Sequence, residues 1–227
     1  VTPSHQFPLG VTLTMPRRLA LVDWAKRVGA FVVEDDYDSE FRFAGAPLAA
    51  LQGIDDAGRV VYLGSFSRAL HPGLRVGYMV VPDGLVDPVL AVRARSDRFP
   101  STLAEEALTA LLAEGHFTAH VRRARRRARA CRDALVEGLA DGPWRVAVPD
   151  QGLHLIAGLD EGRDVDLLPA VTGAGLAARA LSRMYHATAA RHGLVIGFSG
   201  FPPEVLRDAG RRAASAARAF LRASTEG

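Results

Sequence analysis

Tyr62-Leu63-Gly64-Ser65-Phe66-Ser67-Arg68-Ala69-Leu70-His71-Pro72-Gly73-Leu74-Arg75-Val76-Gly77-Tyr78 is the stretch that decides the fold. Apolar residues bracket it: Val60-Val61 before and Met79-Val80-Val81 after. The spacing predicts two strands, Val60–Leu63 ending at Gly64-Ser65, and Leu74–Val81. A parallel crossover takes roughly a dozen or more residues, usually with a helix. The connection here is shorter and holds His71-Pro72-Gly73. The two strands are therefore expected to be antiparallel to each other inside an otherwise α/β sheet. At the strand end, Ser65 and Ser67 offer hydroxyls and Arg68 and Arg75 offer guanidinium groups. Such a set can hold a phosphate through N–H, O–H and charge-assisted bonds. Read alone, it is equally a plain Ser/Gly connecting loop.

Upstream, Thr14-Met15-Pro16 reads as a helix start, with Thr14 as N-cap and Pro16 in the first turn, where its missing N–H does no harm. That helix should reach Val28 and stop at Gly29. Phe31-Val32-Val33 then reads as a short buried strand that ends in Glu34-Asp35-Asp36-Tyr37-Asp38-Ser39-Glu40-Phe41. Carboxylates at the carboxyl end of an α/β strand sit where such sheets place ligands; the alternative is a solvated acidic turn. Earlier still, Thr2-Pro3-Ser4-His5-Gln6-Phe7-Pro8-Leu9-Gly10 is a polar loop bounded by Pro and Gly, in which His5 and Gln6 are candidate ligand contacts or simply connect.

Downstream, a helical stretch opens at Ser101, with Thr102 and Glu105 at capping-box spacing. Gly115 interrupts it, and a second helix runs from Phe117 to Leu139. Asp141-Gly142-Pro143 is a break. Beyond it lie strands at Arg145–Val148, Leu153–Ala157 and Leu194–Phe198, with helices at Leu167–Leu181 and Pro203–Ala223. These make a small α+β domain. The expected division is residues 1–100, the connecting helices 101–142, and a small domain 143–227.

The chain has 227 residues, 48% hydrophobic, enough to bury a core and too apolar for disorder. No apolar run approaches the roughly 18 residues of a membrane span. One cysteine, Cys131, excludes a disulfide framework and a cysteine-based zinc site, and no metal site is expected. The expected setting is the cytoplasm. Net charge is only +3, and of the 28 basic residues a single one, Lys26, is a lysine. Seven arginines fall between Arg122 and Arg132; at helical spacing they wrap most of a helix. A solvated, partly ion-paired helix is preferred over a nucleic-acid contact.

Taken together and in order, TPSHQFPLG, EDDYDSEFRF and YLGSFSRALHPGLRVGYMVVP resemble hallmark segments of the aminotransferase-like domain of MocR/GabR-type bacterial regulators. The later AEGHFTAHVRRARRRARACRDAL, GLHLIAGL and RHGLVIGFSG resemble its connecting helix and small domain. The resemblance covers nearly the whole chain. It implies a fold-type-I architecture: the C-terminal part of a large α/β domain, mostly parallel with an antiparallel strand, plus a small α+β domain. The abrupt start at Val1-Thr2-Pro3 then reads as truncation, without the first half of the large domain. The resemblance also implies pyridoxal 5'-phosphate as cofactor, a homodimer, an amino-acid or vitamin B6 effector, and DNA binding only through an N-terminal winged-helix domain that these residues do not contain.

By the resemblance, Asp35 pairs with the pyridine nitrogen and keeps it protonated, so that the ring is an electron sink. Tyr37 bonds the ring hydroxyl. Ser65 and Arg75, with Ser67, hold the phosphate. His5 and Gln6 lie in the loop near the ring hydroxyl. Arg191, or Arg183 instead, clamps a substrate carboxylate.

One position departs from the pattern. The family carries its Schiff-base lysine directly after the SFS tripeptide, and here that residue is Arg68. A guanidinium stays protonated, so it is a poor nucleophile toward an aldehyde and a poor base. Lys26, beside Arg27 on the first helix, is expected to face solvent. The expectation is an effector-sensing, aminotransferase-like module without covalent cofactor attachment or transaminase activity. The alternative is an active class I/II aminotransferase moving an amino group from an amino acid to a 2-oxo acid.

Overall fold

The computed structural model describes residues 1–96, 98 and 102–225. Its chain forms two compact units: Val1–Phe7 with Val11–Ala124, and Pro8–Gly10 with the chain from Arg125 onward.

In the first unit, α1 (Met15–Val28) leads to β1 (Val32–Asp36), a short α2 (Leu51–Ile54), β2 (Val60–Ser65), α3 (Phe66–Ala69), β3 (Gly77–Val80), α4 (Asp83–Ser96) and α5 (Thr102–Ala113). The sheet order is β1-β2-β3, with β1 parallel and β3 antiparallel to β2. The mixed α/β sheet expected from the short 64–73 connection is present. Val22 and Ala25 of α1 and Leu51 of α2 pack on Val32 and Val60, burying one face of β1 and β2. Burial of each of the valine and leucine side chains contributes about 2 kcal/mol.

Several elements differ from the reading of the sequence. β3 starts at Gly77, because Pro72–Leu74 is a 3-10 turn and Arg75 is left-handed at φ 53. Phe31–Val33 is not a strand buried on both sides: β1 runs on through Asp36, and only Val32 and Glu34 are buried. Phe31 and Val33 are nearly half exposed, because the helices cover one face only. Thr14 holds the N-cap position of α1, but its hydroxyl makes no capping bond; Gly29 ends the helix with a positive φ. α5 already includes Thr102, one residue too early for that side chain to cap it, and Ser101 lies outside the described residues. The helix α4 has no counterpart in the sequence reading.

A buried arginine ties the loops of this unit together. Arg18, fully buried, donates to the carbonyls of Leu13, Ala49 and Pro3 at 2.9, 2.7 and 2.8 Å. Glu34, also fully buried, accepts from the N–H groups of Leu51 and Gln52 at 3.0 Å each, satisfying two orphan donors at the start of α2.

α6 (His116–Leu139) runs through the division between the units. The second unit continues with β4 (Arg145–Ala147), β5 (His154–Gly158), α7 (Asp164–Gly173), β6 (Arg179–Ala180), β7 (Gly193–Gly197) and α8 (Pro203–Thr225). Its antiparallel sheet has the order β4-β5-β7-β6. Leu155 and Ala157 of β5 and Leu194 and Ile196 of β7 are buried, as are Leu167 and Val171 of α7 and Ala213 and Ala217 of α8. The expected helix Leu167–Leu181 instead ends at Gly173, and the chain turns at Gly175 (φ 90) into β6. Among the described residues no helix is long and apolar enough to cross a membrane.

Candidate functional site

The parallel register places Asp35 opposite Leu63 and Asp36 opposite Gly64, so β1 and β2 end side by side. The antiparallel register places Ser65 opposite Gly77, and Phe66 N–H donates to Val76 O at 3.2 Å. Arg75 thus returns to the end of β2 where Ser65 opens α3. The first unit thereby collects Asp35, Tyr37, Ser65, Ser67, Arg68 and Arg75 at one edge, the carboxyl end of its parallel strands, where open α/β sheets bind ligands.

Each residue arrives there differently. Ser65 is the N-cap of α3 and its Oγ accepts from Ser67 N–H at 3.2 Å. The hydroxyl proton is left to donate. The Phe66 ring lies tilted against Tyr78 with centroids 5.4 Å apart and meets Phe117 edge-on at 5.7 Å. His120 Nε2 donates to Ala69 O at 2.8 Å. The one-turn α3 is therefore pinned at both ends, with Arg68 in its last turn. A β-carbon on Gly64 would run into the Tyr78 ring, so glycine is required there for the ring to lie across the strand.

Arg75 is exposed at φ 53 and ψ 33, a left-handed backbone that costs a non-glycine residue about 1 kcal/mol. Arg68 is exposed, and its guanidinium makes no hydrogen bond or ion pair among the described residues. Asp35 likewise has an exposed carboxylate without a hydrogen bond among them. Asp36 is fully engaged: Oδ2 accepts from Tyr62 Oη at 2.8 Å and Oδ1 from Ser39 N–H at 3.2 Å.

Tyr37 Oη donates to His5 O at 2.8 Å and lies 3.4 Å from His5 Nδ1. His5 Nδ1 in turn sits 3.0 and 2.8 Å from the two Asp38 oxygens, with both residues only 3% exposed. Burial pushes the Tyr37 phenol well above its ordinary range; Asp38, Asp35 and Asp36 add to the shift and the Arg68 charge opposes it. Arg68 is thus within electrostatic reach of the Tyr37 hydroxyl. Burial and the bond to Asp36 raise Tyr62 as well.

Gln6 Nε2 donates to Phe7 O in its own loop. Arg191 and Arg183 belong to the second unit: Arg191 is exposed in the stretch just before β7, and Arg183 lies in the 3-10 turn Ser182–Met184. Lys26 is an exposed residue of α1, paired with Asp56 at 3.2 Å.

Two partnerships escaped the sequence reading. Asp38 stood in the acidic cluster, but nothing local identifies His5 as its partner. In the second unit, Asp164 is fully buried and accepts from Ser182 N–H (2.8 Å), Ser182 Oγ (2.6 Å), His192 Nδ1 (3.1 Å) and Gly193 N–H (3.1 Å). Burial alone would raise its carboxyl; these four donors outweigh burial and hold it below the usual range. This carboxylate fixes the chain between β6 and β7.

The exposed donor set fits a phosphorylated pyridine compound: Asp35 for a protonated ring nitrogen, and Ser65 Oγ with the guanidinium of Arg75 for a phosphate.

Comparisons with known proteins place the chain in a family. Residues 1–209 match the aminotransferase class I and II family. The "Probable rhizopine catabolism regulatory protein MocR" of Rhizobium meliloti is 37% identical over 217 residues, 92% of this chain and 43% of that protein. The "HTH-type pyridoxine biosynthesis transcriptional regulator PdxR" of Corynebacterium glutamicum is 34% identical over 208 residues, 91% of this chain and 46% of that protein. The structure of LysN, an alpha-aminoadipate aminotransferase from Thermus thermophilus complexed with N-(5'-phosphopyridoxyl)-L-leucine, has a TM-score of 0.87 at 26% identity, covering 98% of this chain and 59% of that one. The chain thus spans about half the length of the proteins it matches. It belongs to the class I and II aminotransferase family, and its relatives include the aminotransferase-like portions of MocR/GabR-type regulators.

Proposed function

We propose that this chain is the effector-sensing, aminotransferase-like part of a MocR/GabR-type transcriptional regulator that holds a phosphorylated vitamin B6 compound without a covalent bond and does not transaminate. The observation that carries this reading is Arg68, a guanidinium unpaired among the described residues, on the pinned α3, where the family pattern has an amine.

Asp35 would face the pyridine nitrogen, Ser65 and Ser67 with Arg75 the phosphate, and Tyr37 the ring hydroxyl. His5 and Asp38 hold Tyr37 in place from behind. When bound, the group supplies an electron-withdrawing ring. No lysine stands at this edge to attach to it or to shuttle a proton as the family's lysine does: the chain's single lysine is Lys26, on α1 and paired with Asp56. Arg191, with Arg183 as the alternative, remains the proposed contact for an amino-acid carboxylate. A homodimer is part of the proposal. So is DNA binding through a winged-helix domain outside these residues, in keeping with relatives named as HTH-type regulators. The proposed location is the cytoplasm.

The test is an amino-transfer assay on the purified chain with pyridoxal 5'-phosphate, a panel of amino acids and a 2-oxo acid acceptor, alongside binding of pyridoxine 5'-phosphate by calorimetry. Saturable binding without transfer above the free-cofactor background is expected. Enzymatic transfer would establish the aminotransferase reading instead.

A further inference from the structure

We infer that Arg68 is a specificity-determining residue: it selects phosphorylated pyridines that present an oxygen acceptor at the 4' position and rejects those that present an ammonium. The inference rests on the proposed site and says which member of the vitamin B6 class occupies it.

Three charged groups at this edge, Asp35, Arg68 and Arg75, have no partner among the described residues. The neighbouring acids are spent. Asp36 is taken by Tyr62 and Ser39, and Asp38 by His5. A ligand must therefore match the three that remain. Asp35 asks for a cation, and Arg75 with the Ser65 hydroxyl asks for an anion. Arg68 asks for an acceptor. A pyridinium and a phosphate meet the first two demands. The third is set by whatever the ligand carries toward α3.

The one-turn helix that carries Arg68 is itself fixed at this edge. α3 is capped by Ser65, clamped through Phe66 between two aromatic rings and anchored by the bond from His120 to Ala69 O. The Arg68 charge already acts on Tyr37, the residue proposed to face the ring hydroxyl. An ordinary lysine at this position could lose its proton and react. A guanidinium instead presents five fixed donors and a permanent positive charge. A hydroxymethyl or carboxylate group accepts from that fork. The ammonium of pyridoxamine 5'-phosphate brings a like charge against it, without an acceptor. The substitution that removes covalent chemistry therefore also creates a selectivity, through both a new attraction and a new repulsion.

Calorimetric titration of the full chain with pyridoxine 5'-phosphate, 4-pyridoxic acid 5'-phosphate and pyridoxamine 5'-phosphate tests this. The first two should bind at least about tenfold more tightly than the third. Arg68→Met should remove the preference while all three still bind. Circular dichroism checks that the variant is folded, as the exposure of Arg68 leads one to expect. Equal affinity for the three ligands, or an unchanged preference in Arg68→Met, overturns the inference and leaves the proposed site standing. Failure of every phosphorylated pyridine to bind overturns both.

Discussion

His5 Nδ1 lies 2.8 Å from Asp38 Oδ2 in a pair that is almost wholly buried, and the same His5 accepts the Tyr37 hydroxyl proton at its carbonyl. The pair links the Val1–Phe7 segment to the residues after β1. Removing one partner deletes a buried, charge-assisted bond, which costs about 2 kcal/mol. His5→Ala and Asp38→Ala should each lower the urea midpoint, and the double variant should lose much less than the sum. Urea unfolding in a double-mutant cycle measures this; additive losses would show that the two side chains act independently.

Arg75 holds a left-handed backbone that glycine adopts freely. Arg75→Gly should therefore raise stability, or leave it unchanged, by up to about 1 kcal/mol while weakening phosphate-ester binding severely. Thermal unfolding and calorimetry on the same variant separate the two effects. A loss of stability together with intact binding would mean that Arg75 is a structural residue and the strain serves something else.

Three of the four tyrosines are shifted upward, Tyr37, Tyr62 and Tyr78, each first by burial. A folded-state value above the unfolded one means stability that is present below the unfolded value and lost as pH rises through the folded one. The protein should thus lose stability above about pH 10, where unfolded tyrosine ionises. An absorbance titration of the phenolate band should show these phenols ionising only at higher pH than in denaturant. Coincident native and denatured curves would contradict the burial of this aromatic group.

Asp164 shifts the other way. Its folded-state carboxyl lies below the ordinary value, so its four hydrogen bonds contribute fully above about pH 4 and are lost as pH falls through the depressed value. Asp164→Asn should be less stable at neutral pH and should lose less on acidification. Denaturant midpoints between about pH 7 and pH 3 test this; parallel curves for the two proteins would refute it.

Much of the first unit was legible because its signals are local. The segment 64–73 is too short for a parallel crossover, and β2 and β3 are antiparallel. Thr14, Pro16 and Gly29 mark the ends of α1. The boundary of β3 was misplaced because the apolar Leu74 and Val76 look like strand while Arg75 between them turns left-handed. The apolar run Phe31–Val33 could not reveal that β1 buries alternate residues, since a continuous run fits a strand covered on either one face or two. The helix α7 was drawn too long across Gly173 and Gly175. At the site, the exposed ends of Asp35, Arg68 and Arg75 were named from their motif. The residues behind them were not. His5 with Asp38, Arg18 with the carbonyls of Pro3 and Ala49, and Asp164 with His192 each join positions far apart in sequence, and only the tertiary fold brings them together.

The most direct test of the account is covalent capture at residue 68. In a Lys26→Arg background the chain has no lysine, and borohydride reduction with pyridoxal 5'-phosphate followed by peptide mass mapping reads any attachment. The account predicts an unmodified residue 68 in the Arg68 protein and a stoichiometric phosphopyridoxyl group at that position in Arg68→Lys. A stoichiometric adduct elsewhere in the Arg68 protein that supports amino-group transfer would contradict it.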